Sequence, residues 1–380
     1  MTASRSAGTD DGLPTARQEL LLRAALRDGP AAAAAWRAWS GARAAGDDVD
    51  PGSHRLLPLV RHNLRRTGAA EADDPELKRA WLRAAVDRRI IETWALPTLR
   101  GLVEDGFDPI VLKGLALGDA YYPQPFLRPM GDVDVLVPRA RAAEALAWLE
   151  ARGWHRVGYF VLDDLRYRHS GGLRDGTGNE IDLHWSPLLE VLEAGTVDGF
   201  ERRCVAADVA GLTVRRLSPT DELIQALVHG LRWEPTPPIR WVPDAIMVMR
   251  TAGDAIDWDR LVAFAARANL AFRLDKGLRY LANAFDAPVP ARALEALGAT
   301  PVHWLERHEG RHSSSLRIVP GSLVSYWRHR RSLGADERRP ALTSYLVYFL
   351  RVERRAELPG FFARWLARRL KTRLRTGPPH

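Results

Sequence analysis

The apolar positions of this chain change period twice. From about residue 15 to 95 they recur at helical spacing, with Leu20, Leu21, Ala24, Ala25 and Leu26 on one stripe and Trp81, Leu82, Ala85 and Val86 on another. Loops fall at 41–52 and 67–75, and the Ala31 to Ala35 run followed by Trp36 and Trp39 reads as a packed helix. Between about 96 and 217 the pattern is mixed. A helix over 96–104 is broken by Gly106, and residues 109–112 form a short apolar strand ending at Lys113-Gly114. A short helix over 115–122 stops at Pro123 and Pro125, and Val133, Val135 and Val137 then alternate with polar positions as a strand over 132–137. Pro138 suits the first turn of a helix whose apolar face is Ala140, Ala143, Leu146, Ala147 and Leu149. Strands are expected over 154–159 and 165–171, and the Asp175-Gly176-Thr177-Gly178 turn predicts that 180–185 returns antiparallel.

From Ser218 the pattern is helical again. Ser218-Pro219-Thr220-Asp221 reads as a capping start, and further helices are expected over 242–251, 258–269, 274–285, 340–350 and 361–375. The expected fold is therefore α+β: a small mixed sheet over 96–217, flanked by an N-terminal helical region over 15–95 and a C-terminal helical domain over 218–380. Residues 1–14 are expected to be a disordered tail.

With 380 residues and 46% apolar content, the chain can build two or three ordinary cores. No run approaches the ~18 apolar residues of a membrane helix, and the longest, 342–350, is interrupted by Thr343 and Ser344. The start of the chain has no apolar segment of signal-peptide type, so a cytoplasmic location is expected. A single cysteine, Cys204, excludes an internal disulfide and a cysteine zinc site. The net charge of +8 suggests an acidic partner such as nucleic acid or nucleotide. Only four lysines stand among 55 basic residues, and one of them is Lys113. A compact ammonium there points to a geometric need that an arginine fork does not meet.

The candidate chemistry lies between Val111 and Val137. Asp132 and Asp134, two apart in a strand, point to one face with Cα atoms roughly 6–7 Å apart, while the three valines face a core. Two such carboxylates suit one or two Mg²⁺ ions, and Asp182, central in the returning strand, is the candidate third acid, as ligand or as proton acceptor. Gly114, between strand and helix, lets backbone N–H groups approach a triphosphate, with Lys113 or Arg128 neutralising it and Gly131 leading into the acids. His184 shares the face of Asp182 and is a candidate phosphate or substrate contact, or a buried structural histidine. His229, Trp241 and Asp244 read as packing and capping residues, with the opposite wall of the cleft as their alternative place.

The segments VLKGLALGDAYYPQPFLRPMGDVDVLVP and NEIDLHWSP resemble those of the uncharacterised nucleotidyltransferase family, a bacterial branch of the polymerase-beta-type nucleotidyltransferase superfamily. The resemblance extends to SHRLLPLVRHNL, LVHGL, IRWVPDAIMVM and IDWDRLVAFAARANL, and so spans roughly residues 15 to 285. It implies metal binding at Asp132, Asp134 and Asp182, and Mg²⁺-dependent transfer of a nucleoside monophosphate from an NTP, ATP among them, to a hydroxyl-type acceptor. In the wider superfamily a serine follows the glycine; here it is Leu115, so phosphate binding leans on backbone and lysine. A small-molecule acceptor fits a compact site walled by helices. The LKG turn followed by the Arg, then Asp-x-Asp order also resembles toxin-type nucleotidyltransferases that modify tRNA. RNA is therefore the alternative acceptor, with the basic helix over 361–375 as its contact. A nucleotide- or partner-binding module without turnover is the reading outside enzymes.

Overall fold

One long helix ties the molecule together. Helix α5, Pro75–Glu104, runs 30 residues, is capped by Asp74, and carries Pro97 in its interior. An interior proline removes one helical hydrogen bond and costs about 3 kcal/mol. The helix continues because its two halves belong to different cores. Leu77 and Ala80 are buried with the flanking helices, whereas Ile91, Ala95, Leu99 and Leu102 are buried against the sheet. The computed structural model describes residues 12–43, 49–158, 168–231, 238–304 and 355–376, with single positions at 165, 306, 323, 326, 327, 330, 342, 343, 346 and 350.

Before α5 come α1 (Ala16–Leu26), α2 (Gly29–Gly41), α3 (Pro51–His54) and α4 (Leu57–Arg66). Thr15 and Gln18 close a reciprocal capping box on α1, and Asp50 caps α3 by accepting from the Ser53 amide. After the sheet come α9 (Pro219–Gly230), α10 (Trp241–Ala252), α11 (Trp258–Arg267), α12 (Ala271–Phe285) and α13 (Ala291–Ala299). Ser218 caps α9, with Pro219 in its first turn as expected. Helices α9 and α10 approach so closely that a Cβ on Gly230 would overlap Trp241 Cβ at 2.0 Å. The N-terminal and C-terminal helices share one continuous core, which includes Leu22, Trp39, Leu57, Leu227, Ile246 and Leu278.

Among the described residues the sheet has seven strands: β1 (Ile110–Val111), β2 (Val133–Leu136), β3 (His155–Arg156), β4 (Ser170–Arg174), β5 (Glu180–His184), β6 (Val205–Val209) and β7 (Leu212–Arg216), in the order β3-β4-β5-β2-β1-β7-β6. It is mixed: β2 runs parallel to β5 and antiparallel to β1, and β1 runs parallel to β7. The β4–β5 hairpin forms at the expected turn, where Asp175 accepts from the Thr177 and Asn179 amides and Gly178 takes φ +95°. Helices α6 (Lys113–Tyr121), α7 (Ala142–Glu150) and α8 (Ala194–Arg202) complete the sheet region.

Several boundaries differ from the sequence expectation. Strand β4 begins at Ser170 rather than at 165, and Pro138 precedes a short 3-10 turn, Arg139–Arg141, instead of entering α7 directly. The β6–β7 hairpin was not expected from the pattern. The expected helix over 340–350 lies mostly outside the described residues. The C-terminal helix is present as Leu358–Thr376; Leu358 packs with Leu346 and Leu350, whereas Leu366 stays 51% exposed. No helix among the described residues is long and apolar enough to cross a membrane.

Candidate active site

The register of β2 against β5 sets Asp134 opposite Asp182 and Leu136 opposite His184. Residues opposed across neighbouring strands project to the same side, so Asp134, Asp182 and His184 share one face. That face fronts the helices, since Leu136 belongs to their core. Val133, Val135 and Val137 are buried on the other face with α7 and the second half of α5, as the alternation predicts. A slip of β2 by one residue would drive Asp134 into that apolar layer, which fixes the register.

The acids are tightly held. His184 is fully buried, and its Nε2 lies 3.0 Å from Asp134 Oδ1 and 3.1 Å from Asp182 Oδ2. Lys113 Nζ donates to the same Asp134 oxygen at 2.7 Å, and Ser170 Oγ donates to Asp182 Oδ2 at 3.2 Å. Ligand atoms of Asp134, Asp182 and His184 all lie within 4.8 Å of one another, a spacing that one metal ion can bridge. Lys113, the first residue of α6, has φ +44°, a left-handed conformation costing a non-glycine residue about 1–3 kcal/mol. Its ion pair with the buried Asp134 holds it there. A compact ammonium suits a single shared oxygen, whereas a guanidinium fork is shaped for two.

Asp132 sits one residue before β2. Among the described residues it has no hydrogen bond or ion pair. Burial, reinforced by the charges of Asp134 and Asp182, pushes its carboxyl above the usual range, while Lys113 and Arg240 pull it back. Asp134 and Asp182 behave oppositely. Burial disfavours their ionised forms, but Lys113 and His184 outweigh it at Asp134, and His184 followed by Lys113 outweighs it at Asp182, so both lie well below the usual range. Burial disfavours the His184 imidazolium as well, yet Asp182 and the hydrogen bonds to both aspartates raise its pKa.

These directions set a pH profile for the metal-free protein. A histidine raised by the fold contributes full stability below its unfolded pKa of about 6.5 and loses it as pH climbs through the folded value. The two depressed aspartates contribute above their unfolded value of about 3.9 and lose that contribution as pH falls through the folded values. In chelator, Tm is therefore expected to fall as pH rises above about 6.5, with the fall reduced in His184→Gln. Thermal unfolding of both proteins across that range checks this; equal slopes would contradict it.

The remaining expected residues lie around the loop that leads into β2. Gly114 is buried beneath it: a Cβ there would stand 2.6 Å from Met130 Sδ and 3.4 Å from Arg128 Nη1, so the loop's packing excludes a side chain. Arg128 is committed to Asp244 of α10, with Nε and Nη2 at 3.0 and 2.8 Å from its two oxygens, and Tyr122 OH donates to the same carboxylate at 2.6 Å. Gly131 lies against Arg55, whose Nη2 is 3.2 Å from the position of a Cβ. Trp241 packs on Gly230 and Tyr280, and His229 is exposed on α9. Sequence reasoning assigned no role to Ser170, Arg55 or Arg240. The two arginines stand in SHRLLPLVRHNL and IRWVPDAIMVM, both noted for resemblance, but no spacing rule brings segments so distant to one loop.

No curated protein shows a significant match to the chain. A sequence model described as uncharacterised nucleotidyltransferase matches residues 52–286, a span that takes in all seven strands and every acid at the centre of the sheet, and the chain belongs to that family.

Proposed function

We propose that the protein is a Mg²⁺-dependent nucleotidyltransferase that moves a nucleoside monophosphate from an NTP to a hydroxyl-type acceptor and releases pyrophosphate. The observation that carries this reading is the in-register pair Asp134 and Asp182 on adjacent parallel strands, with Asp132 at the mouth of β2. Asp132 also supplies the test of fit for a cation. It is a carboxylate raised by burial and by two neighbouring negative charges, without a protein donor among the described residues, and hard oxygen ligands of this kind suit Mg²⁺. Asp132, Asp134 and Asp182 would hold the ion, which when bound supplies Lewis-acid stabilisation of charge on the phosphoryl oxygens.

The chain's own groups divide the remaining work. His184 and Lys113 keep Asp134 ionised and aimed, and His184 with Ser170 fixes one oxygen of Asp182. The Asp182 side chain is 28% exposed against 6% for Asp134, so Asp182 is the acid open to an acceptor hydroxyl and the better placed to take its proton. A small-molecule acceptor is favoured because the acidic face fronts packed helices. The RNA alternative draws on the C-terminal helix, where Arg364 is exposed.

Thermal shift of the full chain with each NTP, with and without Mg²⁺, tests the proposal. Stabilisation by at least one NTP that requires Mg²⁺ is expected, with loss in the Asp132→Ala, Asp134→Ala double variant. No NTP-dependent shift in the wild type would sink it.

A further inference from the structure

Three guanidinium groups crowd the loop over 128–132, and one of them has a carboxylate partner. Arg128 is paired with Asp244. Arg240, at the start of α10, donates from Nη1 to the Pro129 carbonyl at 3.2 Å. Arg55, at the end of α3, places Nη2 against Gly131. Their segments are neighbours, since a Cβ on Gly52 would stand 3.7 Å from Ile239 Cγ1. Among the described residues neither Arg55 nor Arg240 makes an ion pair. Burial, then the charges of Arg128 and Arg55, bring Arg240 down to about 10 despite Asp244 and Asp132, so the cluster favours an added anion.

We infer that Arg55 and Arg240 seat the β- and γ-phosphates of the nucleoside triphosphate, next to the acids that face the α-phosphate. This rests on the nucleotidyltransferase reading and relocates the phosphate grip. Gly114 is covered by Met130, and the buried Leu115 follows it, so the start of α6 offers neither an open backbone nor a hydroxyl. The two arginines, in contrast, converge on the loop that leads into Asp132, Arg55 at Gly131 and Arg240 at the Pro129 carbonyl. Planar guanidinium forks match phosphate oxygens bidentately, and a triphosphate tail brings enough negative charge to balance both. It also spans the short distance from the loop to the acids as one molecule.

Calorimetry with Mg²⁺ on the full chain tests the assignment, using ATP and the other NTPs together with inorganic tripolyphosphate as a base-independent probe. Glutamine at either position removes the charge while keeping an N–H donor. Arg55→Gln and Arg240→Gln are each expected to weaken the bound NTP and tripolyphosphate in parallel, by about ten- to a hundredfold. Circular dichroism and Tm report folding, and the half-exposed Arg55 keeps the test alive should Arg240→Gln fail to fold. NTP binding that survives both substitutions overturns this inference alone. Weakened NTP with unchanged tripolyphosphate also overturns it, since the arginines would then serve the base or ribose. If the wild type binds no NTP, the nucleotidyltransferase reading and this inference fall together.

Discussion

Asp134→Asn is expected to lower the affinity for Mg²⁺-NTP by about a hundredfold or more, and nucleotidyl transfer with it. Asparagine keeps the shape of the side chain and removes its charge. The substitution takes one negative charge from the three acids that would face the ion, so the attraction for a divalent cation drops sharply. It also weakens the hold on Lys113, whose ammonium is 2.7 Å from the Asp134 oxygen and whose backbone is held left-handed. Calorimetric titration of Mg²⁺-NTP into folded Asp134→Asn measures the effect. Affinity within a few-fold of wild type would remove Asp134 from the metal site and leave the buried cluster a purely structural network.

The central half of this site is legible in the sequence because local rules govern it. Alternation around Val133, Val135 and Val137 places Asp134 on the polar face, and the Asp175 turn returns the strand of Asp182 and His184 antiparallel to β4. What alternation cannot supply is which strand β2 pairs with, and that pairing makes Asp134 and Asp182 neighbours. The arginine half is illegible for a related reason. Arg55 and Arg240 reach one loop only because α3 packs against the segment before α10, a contact between distant parts of the chain that leaves no periodic signal.

The same distinction runs through the fold. Helices with a strong apolar stripe, such as α11 and α12, follow from periodicity, and their ends differ from the expected ones by a few residues. The β6–β7 hairpin escapes because β6 is largely exposed and Ala207 and Asp208 give it little β character. Its turn is made by Ala210 and Gly211, both at positive φ, a geometry that the alanine conceals. At Pro97 the local rule is correct about cost and wrong about outcome: burial on both sides of the proline outweighs one lost hydrogen bond.

Asp244 is the residue whose weight the sequence most understates, and Asp244→Ala is expected to destabilise the protein by about 3–5 kcal/mol. The Arg128 and Asp244 side chains are 9% and 6% exposed, so removing the carboxylate strands a guanidinium away from water and leaves the Tyr122 hydroxyl without its acceptor. The expected fall in Tm is about 4–6 °C for a chain of this size. The loss should not stay local. Arg128 bears on the loop above Gly114, and Asp244 shares α10 with the region of Arg240, so this one ion pair fastens the Asp132 loop to the helices. Replacing both partners with apolar side chains, as in Arg128→Met with Asp244→Leu, is expected to recover much of the stability while NTP affinity stays low, because the charge is gone but the loop is no longer aimed. Denaturant melts of the single and double variants, paired with NTP titration, separate the two effects. A double variant as unstable as Asp244→Ala would mean that packing around α10, and not the stranded charge, sets the cost.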